Sequence, residues 1–396
     1  MGCCPSWVNN YKLGNLKKKS LKEIWNDTPM KQLRVNMLTE QPSPACVRCY
    51  EQEASGFFSG RKSANKHQGH QIHRVLETKP DGELERFEMT YWDIRFSNLC
   101  NLKCRMCHPM DSTSWNDWKE VEPFYEKEGN FMVKAIKDLN LVNKPYLDKF
   151  EDNLGWWESF EKLLPYFRRV EFAGGEPLMD PQHYKILDML KSYGANIEIK
   201  YATNGTTLGI KGGRTIHDYW PHFRSVAVNV SIDGIGDSYS YIRGNGDYQD
   251  VVDNLSIIKQ IPNVRRIVGA VAVQVSNILI LDKMIEEFLD KLGIIFYTNM
   301  VNYPNALCPQ VLPQELKELA IERLEQVKLR VPNFKLVKDQ PALLDITLGQ
   351  IQGVINFLKA KDQHDKWQDC IEFNRKLDVT RKQNFTDVTP EFKSYV

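Results

Sequence analysis

The sequence predicts an α/β fold in which βα units build a parallel sheet. Three observations carry that expectation. Six apolar, strand-like runs alternate with helical patterns between residues 89 and 305. Glycine-rich or polar turns follow the runs at their carboxyl ends, where folds of this kind place their chemistry. The first run leads into Cys100-Asn101-Leu102-Lys103-Cys104-Arg105-Met106-Cys107, with three cysteines at C-x-x-x-C-x-x-C spacing. Thiols gathered this tightly are metal or cluster ligands far more often than core residues, and structural zinc would ask for four closed ligands.

With 396 residues, 42% hydrophobic and 26% charged, the chain has the size of a barrel with attachments and the composition of an ordinary globular protein. The formal net charge is +1, so no whole-molecule field points to nucleic acid or membrane. Residues 1–80 hold 13 Lys and Arg against 6 Asp and Glu, an excess read as a solvated face. No apolar run approaches the ~20 residues that span a bilayer. Nine cysteines in clusters, without a signal-peptide pattern, fit a reducing cytoplasm and metal chemistry rather than disulfides. Met1-Gly2-Cys3-Cys4-Pro5-Ser6 matches a myristoylation pattern, but its cysteines have a better use as metal ligands.

Residues 1–60 form a first module. Ser20 followed by Glu23 is a capping-box signature, so a helix begins at Leu21, with Leu21, Ile24 and Trp25 at helical spacing. Leu33, Met37 and Leu38 repeat the pattern after Pro29. Pro42 and Pro44 break it, and Cys46-Val47-Arg48-Cys49 follows. Together with Cys3 and Cys4 this C-x-x-C reads as a second metal or cluster site, with zinc and iron–sulfur both open. Residues 61–88 are polar and read as a solvated connector; His67, His70 and His73 lie within it.

Residues 89–305 carry the barrel. Candidate strands are 89–97, 168–173, 196–203, 225–232, 264–275 and 294–301, and candidate helices lie near 181–193, 213–223, 247–260 and 277–292. After the second strand comes Gly174-Gly175-Glu176-Pro177: two glycines permit close backbone approach to a ligand, and Glu176 offers an acceptor for an ammonium. Asn204 follows the third strand as a hydrogen-bonding side chain. Ser231 and Asp233 end the fourth and, two apart on a strand, share a face. Arg243 offers a planar fork for a carboxylate. The fifth strand gives Val271, Val273 and Gln274. Residues 109–165 exceed what one βα connection needs and read as a helical insertion whose tryptophans pack. Residues 306–396 read as a helical extension, with helices at 314–330, 345–360 and 364–377, and with Cys308 and Cys370 as buried small residues.

These motifs, in this order, resemble the radical S-adenosylmethionine (SAM) superfamily. Its cluster loop has the spacing of Cys100, Cys104 and Cys107, with an apolar residue at the place of Met106. The resemblance implies a partial (β/α)6 TIM-like barrel. It implies a 4Fe–4S cluster on the three cysteines, with one iron left open to SAM. It further implies that Gly174, Gly175, Glu176 and Pro177 hold the methionyl amine, that Asn204 meets ligand polar atoms, that Ser231 and Asp233 meet the ribose, and that Arg243 meets the carboxylate. Cys3-Cys4, Gly14-Asn15, Leu21-Lys22-Glu23-Ile24-Trp25-Asn26 and Cys46-Val47-Arg48-Cys49-Tyr50 resemble the twitch (SPASM-like) auxiliary-cluster module of the same superfamily. That group usually carries a further upstream cysteine, so the module is read as shortened, with Cys46, Cys49 and one or both of Cys3 and Cys4 as ligands of a second iron–sulfur cluster. Leu377-Asp378-Val379-Thr380-Arg381 resembles the tail of the twitch-containing group. The implied function is reductive cleavage of SAM and hydrogen abstraction from a peptide or protein, with flavodoxin or ferredoxin as electron donor. Radical chemistry on a nucleoside or small molecule is the alternative, and a non-catalytic iron–sulfur binding protein the third reading. Neither membrane nor nucleic acid is expected as a partner.

Overall fold

Six strands form one sheet in chain order, β1 (Tyr91–Arg95), β2 (Arg169–Ala173), β3 (Glu198–Thr203), β4 (Ser225–Ser231), β5 (Val264–Val273) and β6 (Ile295–Met300). In this computed structural model the described residues are 12–16, 18–54, 59–129, 131–145 and 154–396; Cys3, Cys4 and the myristoylation pattern lie outside them. Pairing from β2 through β6 is parallel throughout. Next-neighbour parallel crossovers all of one hand curl such a sheet part-way round, which gives a partial TIM-like barrel.

Burial explains why these runs are strands. Along β3 and β4 every second residue is buried; Ile199, Tyr201, Val226, Val228 and Val230 are fully so. That face meets the helices: Phe172 and Tyr201 stack with ring centres 5.3 Å apart, and His183 of the Pro181–Leu190 helix stands edge-on to Phe172 at 4.7 Å. Asp180 caps that helix, accepting from Gln182 N, and also accepts from the Ser97 hydroxyl at 2.5 Å.

The chain divides into two compact units. One comprises residues 1–93 and 149–168. Its Leu21–Trp25 helix begins with the expected capping box, both reciprocal hydrogen bonds being present. A small core of Leu33, Ala45 and Cys46 takes Leu13, Met30 and Tyr50 against it. Trp92, Trp156, Phe160 and Phe167 form a separate aromatic cluster. The polar 61–88 stretch is partly helical, with Gly60–Gln68 capped by the Ser59 hydroxyl and a 3₁₀ run at Gly69–Glu77. Composition indicated exposure there; the cap that starts the helix lies just before the stretch.

The other unit comprises residues 94–148 and 169–396. From the insertion it holds helices Trp118–Lys127 and Phe131–Asp138. These share a core with the carboxyl-terminal Trp367–Arg381 helix: Trp115, Trp118 and Tyr125 pack with Phe373, Leu377 and Leu307, and Met106 and Cys107 border the cluster. The expected 277–292 helix is broken into Val275–Ile278, Leu281–Glu286 and a π turn at Glu287–Lys291. A short helix, Asp237–Arg243, has too few residues to show a period in the sequence, and it carries Arg243. Cys308 and Cys370 are both fully buried.

Candidate functional site

The three-cysteine loop leaves β1 at its carboxyl end. Cys100 and Cys104 are buried and Cys107 half-buried, and all three are neighbours around Leu102 and Met106. The loop backbone is fixed on several sides. Lys103 N donates to Gly244 O at 3.2 Å and Arg105 N to Ile242 O at 2.9 Å. The Ser112 hydroxyl donates to Leu102 O, the Ser114 hydroxyl to Cys100 O at 2.8 Å, and the Trp115 indole to Cys104 O at 2.9 Å. With these backbone groups held by protein, the three thiols are the metal-binding groups the loop offers.

Burial pushes the Cys100 thiol up to about 12, and the neighbouring Cys104 adds to it. The hydrogen bond with Cys104, then burial, raises Cys107 well above the usual thiol range. Crowded, buried thiolates require a cation, and iron at a cluster corner is one. Among the described residues no three His, Cys, Asp or Glu side chains converge as they would on a single metal ion. A cluster accepts one thiolate per iron, so its ligands need not converge.

Gly174-Gly175-Glu176 follows β2 and lies along the start of this loop. Gly175 N donates to Ser97 O at 3.0 Å and Glu176 N to Leu99 O at 2.7 Å. Gly174 has φ +134°, and a Cβ on Gly175 would stand 2.3 Å from Leu99 O. The close approach that requires these glycines is therefore made to the cluster loop's own backbone, not only to a ligand. Glu176 is 1% exposed; its carboxylate accepts from Leu178 N, the Thr203 hydroxyl and Asn204 N, at 3.1, 2.8 and 2.7 Å. Burial raises its carboxyl to about 7 against the pull of those three donors. A carboxylate offers about four acceptor positions, so about one remains for a ligand donor. Pro177 and Leu178, both buried, open the short turn that carries the first of these donors, and the other two come from the end of β3.

Asn204 is buried, and its amide is committed to the loop: Nδ2 donates to Asn101 Oδ1 at 2.8 Å and stands 3.7 Å from the Cys100 sulfur, while Oδ1 accepts from Thr206 N and its hydroxyl. Ser231 is half-buried at the end of β4. Asp233 is buried and accepts from Arg243 Nη1 and Ala272 N, each at 2.7 Å. The structure thus joins two residues that the sequence had assigned separately, and Asp233 orients Arg243. Among the described residues, Arg243 Nε and Gln274 Oε1 are buried without hydrogen-bond partners. Gln274 Nε2 stands 3.8 Å from the Met106 sulfur. A polar ligand at the barrel mouth would satisfy both orphaned atoms.

Three groups escaped sequence reasoning. Asn277 donates to Asp233 O and Ala272 O, both at 2.9 Å. Trp115 holds Cys104 O, as described. Arg105 is fully buried and reaches Asp378 and Asn374. A charged residue between two cluster cysteines was the available signal.

In the other unit Cys46 and Cys49 are both buried, at the junction of the Pro44–Cys46 turn and the Val47–Ala54 helix. A Cβ on Gly60 would lie 4.0 Å from the Cys49 sulfur.

Residues 94–275 match the Radical SAM superfamily, and residues 1–50 match SPASM, an iron–sulfur cluster-binding domain. The first match implies a 4Fe–4S cluster and SAM as cofactors, the second a further iron–sulfur cluster. A comparison with curated proteins finds no match. Among solved structures, the chain is similar to Streptococcus suis SuiB bound to S-adenosylmethionine, with 14% identity and a TM-score of 0.36. The match covers 72% of this chain and spans 58% of that one. Among the described residues no helix is long and apolar enough to cross a membrane. With its three-cysteine loop and strand-end motifs lying inside the first match, the chain carries a radical SAM domain at residues 94–275 and a SPASM-type segment at 1–50 ahead of it.

Proposed function

We propose that this chain is a radical SAM enzyme that binds a 4Fe–4S cluster at Cys100, Cys104 and Cys107, cleaves SAM and abstracts hydrogen from a peptide or protein. The observation that carries the reading is the gathering of Glu176, Asn204 and Arg243 around the buried three-cysteine loop, through Leu99, Cys100 and Ile242. When bound, cluster and SAM supply an electron and a 5′-deoxyadenosyl radical; the protein supplies binding, orientation and exclusion of water. Glu176 keeps one acceptor position for the SAM ammonium while Thr203, Asn204 and Leu178 hold it in place. Asp233 fixes the Arg243 guanidinium, which would hold the SAM carboxylate. Asn204 aims an N–H at the Cys100 sulfur, a contact that favours the reduced cluster. Gly174, Gly175 and Pro177 shape the turn, and Met106 and Gln274 would contact bound SAM.

The peptide or protein substrate is supported by the SPASM-type segment at 1–50, since relatives with auxiliary clusters often modify such substrates. Cys46 and Cys49, with one or both of Cys3 and Cys4, are its cluster ligands. A flavodoxin or ferredoxin is the electron donor, and the reducing cytoplasm is the compartment that nine cysteines favour.

The test is anaerobic. Reconstituted protein with dithionite is expected to convert SAM to 5′-deoxyadenosine, and Cys104→Ala to abolish it. Equal 5′-deoxyadenosine from the two proteins, with the wild-type cluster seen spectroscopically, would remove the enzymatic reading.

A further inference from the structure

We infer that Arg105 is a positioning residue that latches the cluster loop and the Arg243-bearing helix onto the carboxyl-terminal helix, and that its charge and that of Asp378 tune the main cluster in opposite directions. The inference rests on the reading of Cys100, Cys104 and Cys107 as the 4Fe–4S site.

Arg105 lies between two of the three cysteines and is 0% exposed. Its side chain makes four hydrogen bonds to three segments. Nε donates to Tyr241 O at 3.1 Å, two residues before Arg243. Nη1 donates to Asn374 Oδ1 at 3.1 Å, and Nη2 to Asp378 Oδ1 at 2.5 Å and Gln383 Oε1 at 3.0 Å. The guanidinium also lies over the Tyr241 ring, 3.6 Å from its centre. Asp378 is a hub in turn, its other oxygen accepting from Phe385 N at 2.7 Å.

A second arginine repeats the connection. Arg381, on the same helix, donates twice to Asp117, at 2.6 and 3.2 Å. It lies over Trp115, whose indole holds Cys104 O, and Lys103 of the loop stands 3.5 Å from Asp117. Both arginines thus join the helix to the loop, from opposite partners.

An apolar residue would pack the tail against the barrel at lower desolvation cost. What Arg105 adds is register: a planar fork bonded to four acceptors admits one placement of the loop, which a lysine point charge would not enforce. The fork is also a charge carried by the residue that directly follows Cys104 in the loop. A cation near a cluster favours the reduced state, and an anion opposes it, because net charge is one of the terms that set its potential.

The experiment uses the full chain as wild type, Arg105→Lys, Arg105→Gln and Asp378→Asn. Two readouts are taken: hydrogen exchange of amides 102–107 without cluster, and the midpoint potential of the reconstituted cluster by EPR titration. Arg105→Lys is expected to quicken loop exchange about tenfold while leaving the potential near wild type. Arg105→Gln is expected to lower the potential and Asp378→Asn to raise it, each by about tenfold in reduced fraction at fixed poise, or ~59 mV for one electron. Unchanged loop exchange in both Arg105 variants overturns the latch; potentials that move in the same direction, or not at all, overturn the tuning. Should Arg105→Gln fail to fold, Asp378→Asn keeps three of the four Arg105 bonds and carries the potential test with Arg105→Lys. A wild-type chain that assembles no cluster on the loop would instead defeat the functional reading, and the exchange comparison would still decide the latch.

Discussion

A methyl group on Gly175 would stand 2.3 Å from Leu99 O, well inside contact distance, and the atom it meets is backbone. Neither partner can rotate away, so the strand end must separate from the cluster loop. Gly175→Ala is expected to lose about 1–3 kcal/mol of stability by urea denaturation. It should also reduce iron retained at the loop several-fold after reconstitution. Full iron with wild-type stability would mean that the loop yields freely. Glu176 poses the converse case, because its three donors all point at oxygen. Glu176→Gln replaces one oxygen by an NH₂ group that faces a donor, leaving buried groups unsatisfied at a cost of about 1–3 kcal/mol. Loss of its charge is expected to weaken SAM binding about tenfold or more, read by equilibrium dialysis on cluster-loaded protein. Unaltered SAM affinity would remove Glu176 from the ammonium site.

The Pro181–Leu190 helix carries a titration signal that its sequence hides. His183 is fully buried on it, with Nε2 2.8 Å from the Tyr201 hydroxyl and its ring against Phe172 and Tyr184. Burial pushes its imidazole down to about 3 from an ordinary value of 6.5. Above pH 6.5 both folded and unfolded chains keep the ring neutral, so it costs nothing. Below that, the unfolded chain takes up a proton that the folded one refuses until about pH 3. Stability is therefore present above 6.5 and lost as pH falls, by up to about 1.4 kcal/mol per pH unit from this group. His183→Phe gives up the Tyr201 hydrogen bond but not the packing. The variant is expected to be less stable at pH 7 and to close the gap by pH 5, in urea midpoints at both pH values. Parallel pH profiles would show that another group governs the slope. Because Asp180 caps this helix and also holds Ser97, acid loosening here reaches the base of the cluster loop.

At the scale of the whole chain, the barrel was legible because parallel strands buried on the helix side leave dense apolar runs, as Val226, Val228 and Val230 do. The three cysteines and the Gly174–Pro177 turn were legible because their chemistry is local in sequence. Asp233 was legible as a strand-end acid, but its pairing was not: Arg243 comes from the short helix that follows and the Ala272 amide from β5, so what it holds is set by tertiary placement. Arg105 was less legible still, since Asp378 lies 273 residues away. The amino-terminal module stands between these cases, with a helix start readable from Ser20 and Glu23 and a ligand set readable only in part. Cys46 belongs to a core of its own with Leu33 and Ala45, and Cys49 is buried beside it in sequence. Substitutions there act on a core whose members are distinct from those of the core that borders Cys107. Cys46→Ala/Cys49→Ala is therefore expected to lower iron per chain by one cluster's worth while leaving the SAM-perturbed EPR signal of the main cluster in place. Iron content equal to wild type would mean that these cysteines hold no cluster, and loss of both signals would mean that the two sites assemble together.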